Sequence, residues 1–153
     1  AFLNLAKETY TLNGLPIRKS DFVTEDFFIA AGRWRRTGRV FDLVVLDPPP
    51  FAESAAGVVD LQAAYGRLLN KARPLVADGG ALIAINNALF ASGADFSALL
   101  AAACADGYLS VETLIPVPQD LIGFSDAPRP WPTDPSPFNH PTKIAVVRVR
   151  KKT

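Results

Sequence analysis

The residues of this chain best suited to chemistry are Asp47-Pro48-Pro49-Pro50-Phe51 and, further along, Asn86-Asn87. Each group directly follows an apolar run, Phe41-Asp42-Leu43-Val44-Val45-Leu46 in the first case and Ala81-Leu82-Ile83-Ala84-Ile85 in the second. A carboxylate set behind a buried strand, in a loop stiffened by prolines, has no packing purpose of its own, and the prolines fix the backbone before any ligand arrives. Such a loop can aim carbonyl oxygens and the Asp47 carboxylate at a planar donor such as a base amine, with Phe51 as a stacking face. The plainer alternative is a strand-ending turn whose aspartate caps the next segment. Asn86-Asn87 offers amide donors and acceptors after its own strand, or else a turn that uses the tolerance of asparagine for left-handed backbone.

Basic side chains gather in two runs, Arg33, Arg35, Arg36 and Arg39, then Arg148, Arg150, Lys151 and Lys152, although the net charge is only +1. Either run could meet phosphate, or could be a solvated helix end and a charged tail. The single cysteine, Cys104, excludes an internal disulfide and any Cys-rich metal site. The lone His140, followed by Pro141, has no second histidine or cysteine nearby, which argues against zinc. Phe138-Asn139-His140 closes a proline-rich loop just before the last strand, as a substrate contact or as a surface excursion. No apolar stretch reaches the roughly 18 residues of a membrane span, and no basic-then-apolar leader opens the chain, so a soluble, cytoplasmic protein is expected.

These groups need elements to hold them. Phe2, Leu3, Leu5, Ala6, Tyr10 and Leu12 recur at helical spacing and stop at Asn13-Gly14. A short strand is expected around Asp21-Phe22-Val23, then a helix capped by Asp26 that runs through Phe27, Phe28, Ala31 and Trp34 to Gly38. The Phe41–Leu46 run reads as a central strand buried on both faces. A helix is expected from Asp60 to Val76, disturbed by Pro74, then a turn at Asp78-Gly79-Gly80 into the Ala81–Ile85 strand. A helix over 94–105, a strand at Leu109–Ile115 and a final alternating strand at Lys143–Val149 complete the pattern, with 116–141 irregular. The order predicts one α/β domain over 1–153, a parallel sheet with an antiparallel last strand, whose ligands sit beyond the carboxyl ends of the strands.

The Asp47-Pro48-Pro49-Pro50-Phe51 run resembles the fourth motif of class I methyltransferases of the ribosomal-RNA type, which reads Asp-Pro-Pro-x-Phe after a hydrophobic strand. Thr11-Leu12-Asn13-Gly14-Leu15 resembles the end of a helix in that family, and Asp78-Gly79-Gly80 its turn into the fifth strand. Phe22-Val23-Thr24-Glu25-Asp26-Phe27-Phe28 resembles its third motif, which implies that Asp26 accepts from the adenine amine of S-adenosylmethionine and Phe27 packs on the ring. The resemblance implies a Rossmann-like class I sheet, of which this chain is the C-terminal part of a catalytic domain with the first two strands missing. It further implies that an upstream segment or another copy in a homo-oligomer completes the sheet.

On that resemblance Asp47 serves both cofactor and base, Pro48, Phe51 and Asn87 form the rest of the catalytic face, and Asn86, Arg33 and Arg35 hold an RNA substrate. Relatives that methylate cytosine C5 place a cysteine after the strand that follows Gly-Gly. Asn86-Asn87 stands there instead and resembles the branch that methylates a guanine ring nitrogen, where the lone pair attacks the methyl sulfonium without covalent help. The expected function is S-adenosylmethionine-dependent methyl transfer to an RNA base. The alternative from another class is a non-catalytic methyltransferase-like module that binds RNA or a partner chain, which the missing glycine-rich turn would favour.

Overall fold

The computed structural model describes residues 2–49, 51–54, 57–60, 64–122 and 136–151, with the backbone alone for 51–60. Helix α1 (Phe2–Leu12) ends where Gly14 takes a φ of +66°, as Asn13-Gly14 predicts. The strand expected at Asp21-Phe22-Val23 does not form: Lys19–Asp21 is one 3-10 turn, and the Phe22 ring packs edge-on against Tyr10 at 5.2 Å. A strand persists only where neighbouring backbone takes its hydrogen bonds, and no described strand runs beside this segment.

Helix α2 (Phe27–Arg36) starts at Asp26, whose Oδ1 accepts from the backbone N–H of Phe28 at 2.9 Å and of Ile29 at 3.1 Å. Arg33, Arg35 and Arg36 fall in its last turn, where cations suit the negative end of the helix dipole. Strand β1 (Phe41–Leu46) follows, then an antiparallel pair, β2 (Phe51–Ser54) and β3 (Gly57–Asp60). Asp60 is therefore in a strand, opposite Phe51, where a helix was expected. Helix α3 spans only Tyr65–Ala72 and gives way to a 3-10 turn at Arg73–Leu75, because Pro74 has no N–H to continue the α ladder.

Strand β4 (Val76–Asn86), helix α4 (Gly93–Cys104), strand β5 (Leu109–Ile115), the short helix α5 (Gln119–Ile122) and strand β6 (Lys143–Val149) complete the chain. Ser92 and Asp95 close a reciprocal capping box at the start of α4, which draws the Asp95 carboxyl below its ordinary range. The main sheet has the order β1-β4-β6-β5. The β1–β4 ladder is parallel, while β6 is antiparallel to both β4 and β5, so β6 alone runs against the other three. This is the expected α/β sheet with an antiparallel last strand.

Two details differ from the sequence reading. Asp78-Gly79-Gly80 is no turn ahead of the strand but a bulge inside it: Phe41 pairs with Val76, and the next match is Leu43 with Ala81. Strand β1 is not buried on both faces either. Among the described residues it is the edge of the sheet, and Leu43 and Val45 remain 53% and 57% exposed. The core lies on the other strands and the helices over them, where Tyr65, Leu69, Leu82, Phe96, Leu100 and Val147 are fully buried. Among the described residues no helix is long and apolar enough to cross a membrane.

Candidate functional site

The parallel register sets Leu46 beside Ala84, so β1 and β4 finish side by side and release Asp47 and Asn86-Asn87 at the same end of the sheet. The hydroxyl of Tyr65, on the first turn of α3, binds both finishing strands: it donates to the Ile85 carbonyl at 2.9 Å and lies 3.3 Å from the Leu46 carbonyl. Burial pushes that hydroxyl far above its ordinary pKa, and the Asp47 charge adds to the effect, so it remains a donor. Just beyond this tie, the Asn87 Nδ2 donates to Asp47 Oδ1 at 2.6 Å. The expected pair is thus joined directly, across forty positions of sequence.

Asn86 and Asn87 part company. Asn86 is 3% exposed, and its Oδ1 accepts from the Ala88 N–H at 2.9 Å, so it acts as a strut that turns the chain. Opposite Asn86 in the ladder stands Lys143, also buried, whose Nζ donates to the carbonyls of Ala88 at 2.9 Å and Ala91 at 2.6 Å. Burial draws its pKa below the lysine range, and the Asp95 carboxylate works in the other direction. The loop that presents Asn87 is therefore pinned from beneath. Neither Tyr65 nor Lys143 stands out in the sequence as a site residue: Tyr65 fits a helical apolar stripe, and only the oddity of a lysine opening an apolar strand points to Lys143.

A cleft of about 600 Å³ opens between α2 and β1, with Asp26, Phe27, Phe28, Trp34, Val44 and Asp47 among its walls. It brings the third-motif residues Asp26 and Phe27 to the same cavity as Asp47 and Pro48, although twenty positions separate them. Both capping bonds of Asp26 run to Oδ1, which leaves Oδ2 to accept from a ligand amine. The apolar rings and the aliphatic flank of β1 make the remaining wall suitable for a flat aromatic group. The free carboxylate oxygen and the flat apolar wall together suit a purine that carries an exocyclic amine.

Other expected contacts fall elsewhere. Arg33 pairs with Glu25 at 2.6 Å beside the Trp34 ring, whereas Arg35 leaves the same helix toward a different cleft, with Arg73 and Lys151. The side chain of Phe51 lies outside the described residues. Phe138 enters the core against Phe96, and Asn139 closes two bonds of 2.9 Å with the backbone of Val117, so that end of the proline-rich loop is fastened to the domain.

The Tyr65 tie gives a first testable outcome. Tyr65→Phe keeps the ring but removes the one O–H donor that the Ile85 carbonyl binds, and unfolding in urea should show a loss of about 1–3 kcal/mol. A loss below about 0.5 kcal/mol would mean that water or another donor replaces the hydroxyl.

A family model described as S-adenosylmethionine-dependent methyltransferase matches residues 1–124. The ribosomal RNA large subunit methyltransferase I of Aeromonas salmonicida is 38% identical over 81 residues, covering 53% of this chain and 20% of that protein. The protein of the same name from Photobacterium profundum is 30% identical over 110 residues, 72% of this chain and 28% of its own length. The chain thus spans only 20% to 28% of the curated relatives it matches. Among solved structures, SMU.776, a protein described as a methyltransferase and complexed with SAH, aligns with a TM-score of 0.73 at 19% identity, over 95% of this chain and 36% of that one. An SAM-dependent methyltransferase from Agrobacterium tumefaciens aligns with a TM-score of 0.56 at 26% identity, over 67% of this chain and 33% of the other.

Proposed function

The chain belongs to the S-adenosylmethionine-dependent methyltransferase family, and from that premise we propose that it contributes the adenine-binding and base-facing parts of a site that methylates a base of ribosomal RNA. The observation that carries this reading is the Asn87–Asp47 hydrogen bond, made where two parallel strands end and at the rim of the cleft that holds Asp26 and Phe27. The names of the curated relatives support ribosomal RNA as the substrate class.

S-adenosylmethionine, when bound, supplies an electrophilic methyl group. The roles of this chain's residues are to bind and to orient. Asp26 Oδ2 accepts from the adenine amine and Phe27 packs on the ring. Asp47, with one oxygen taken by Asn87, offers the other to an N–H of the target base, and Pro48 keeps that carboxylate in place. The target atom is a ring nitrogen rather than cytosine C5, since no thiol stands after β4. The one cysteine, Cys104, lies on α4 with burial pushing its pKa up, which suits packing and not attack on a base. The exposed edge of β1 pairs with a further strand, from an upstream segment or a second copy, and sedimentation of this chain separates those sources: a monomer excludes the second copy.

Calorimetric titration of S-adenosylmethionine tests the reading. Asp26→Asn removes the charge yet still caps α2, since asparagine and aspartate are equivalent at that position. Micromolar binding that weakens about tenfold or more in the variant is expected. Absence of binding to the folded chain, or equal binding by the variant, would overturn the assignment of Asp26. Methylated ribosomal RNA digested to nucleosides should then contain an N-methylated base; 5-methylcytosine would refute the ring-nitrogen assignment.

A further inference from the structure

The two basic runs of the sequence, far apart along the chain, meet in the fold. Arg35 from the last turn of α2, Arg73 from the 3-10 turn and Lys151 just past β6 line one cleft of about 490 Å³, with Asn70 and Tyr108 between them. No carboxylate lines it. Arg73 is the fixed wall: it pairs with Asp106 at 2.5 Å and its guanidinium stands 5.1 Å from the Tyr108 ring centre. Arg35 and Lys151 are exposed and their side chains take part in no ion pair among the described residues, while the Asp78 carboxylate accepts from the Lys151 backbone N–H at 2.8 Å. Lys151 also borders a second cleft of mixed charge, where Arg148 pairs with Glu112 and Asp78 stands beside Arg150 in the lining. Dipole compensation accounts for an arginine at the end of α2, but not for the arrival of cations from two further elements at the same hollow.

The position of this cleft matters as much as its charge. Strand β6 begins with Lys143 beside Asn86, at the Asp47 end of the sheet, and ends with Val149 in the cleft wall. Six residue steps at about 3.4 Å put the two sites about 20 Å apart. We infer that the Arg35–Arg73–Lys151 cleft is a phosphodiester-binding subsite that holds the RNA backbone several nucleotides away from the methylated base. The inference rests on the RNA reading above and goes beyond it, because a mononucleotide cannot reach both sites. The substrate is therefore an RNA long enough, or folded tightly enough, to touch both ends of the sheet. Contacts to phosphate position a nucleic acid without reading its sequence, which is the task this second site would perform.

The test compares the full chain with the double variant Arg35→Ala/Lys151→Ala and with the charge-preserving pair Arg35→Lys/Lys151→Arg, all three checked for folding by circular dichroism. Binding of a fluorescein-labelled single-stranded RNA of about twenty nucleotides is followed by anisotropy as salt rises from 50 to 200 mM. Each lost phosphate contact removes about 0.7 from the salt slope for single strands, so the alanine pair should lower it by about 1.4. Across that salt range the unaltered chain should then lose about sevenfold more affinity than the alanine variant, and the charge-preserving pair should behave like the unaltered chain. Equal slopes for all three, with RNA still bound, would refute the cleft while leaving the RNA reading standing. Failure of the unaltered chain to bind RNA at 50 mM salt would refute both. Inorganic phosphate, titrated at constant ionic strength, separates a backbone subsite from a small-anion site: phosphate binding abolished by the alanine pair, with RNA affinity unchanged, would overturn the RNA assignment.

Discussion

Replacing Asp47 by alanine is expected to cut methyl transfer by about a hundredfold or more, with little change in stability. Asp47 is exposed and supports no packing, so its removal costs the core nothing. What it removes is the one carboxylate that β1 presents beside the end of β4, and with it the acceptor that holds the Asn87 amide at 2.6 Å. On the proposed reading the base then loses its acceptor, and Asn87 loses its hydrogen-bond partner. Asp47→Asn separates the two contributions. An asparagine oxygen can still accept from Asn87 Nδ2, so orientation survives while the charge goes, and an intermediate loss is expected. The measurement is the incorporation of labelled methyl groups into ribosomal RNA, with kcat and the KM for S-adenosylmethionine determined separately. A fall in kcat with KM nearly unchanged places Asp47 on the base side of the site. A rise in KM alone moves it to the cofactor side, and a change below threefold in both would sink its assignment.

The second large effect is expected far from that carboxylate. Gly80→Ala should lower the melting temperature by several degrees. A Cβ at position 80 would lie 2.8 Å from the Asp42 carbonyl oxygen, 2.8 Å from Val76 Cγ1 and 2.9 Å from the Ala77 carbonyl oxygen. Two of these three neighbours are backbone, which cannot swing away. The bulge between the Phe41–Val76 and Leu43–Ala81 matches must open, at a cost of about 3 kcal/mol, or about 6–12 °C for a chain of this size. Gly66→Ala is the control. Nothing lies within 4 Å of its added Cβ, and alanine in α3 should stabilise the domain by about 0.5–1 kcal/mol. If Gly80→Ala melted with the unaltered chain, the bulge would have to be softer than this packing allows. The bulge also sets which residue of β4 ends beside Leu46, so S-adenosylmethionine affinity in the same variant shows whether the distortion travels along the ladder to the site.

Several elements are legible in the sequence because their determinants are local. Asp26 before Phe27-Phe28 announced an N-cap, and two backbone N–H groups bind its Oδ1. The alternation of Lys143–Val149 announced a half-buried strand, and its burial alternates along all seven residues. Asn13-Gly14 announced the end of α1 in the same way. Where sequence and structure differ, the neighbouring element decides the outcome. Phe22-Val23 has strand-forming residues but no strand beside it, and an isolated strand leaves its backbone groups unpaired. The Phe41–Leu46 run is apolar enough for burial on both faces, yet Leu43 and Val45, which share one face of the strand, remain exposed while Leu46 on the other is buried. Asp60 reads as a helix start and pairs with Phe51 instead.

The sequence by itself determined which groups could act: a carboxylate behind a proline-stiffened turn, an asparagine pair after the next strand, an acid and an aromatic residue at the start of α2, and two basic runs. Propensity, capping and periodicity operate over a few residues, so those features can be read from a chain without its fold. Only the tertiary structure decided which groups meet. It turned Asn86 inward and Asn87 toward Asp47, closed the two strand ends with the Tyr65 hydroxyl, set Lys143 beneath the loop, and sent Arg33 to Glu25 but Arg35 to Lys151. Each of those outcomes depends on strand register and helix packing between residues up to about a hundred positions apart, and such pairings are made by the burial of the whole core rather than by any segment alone.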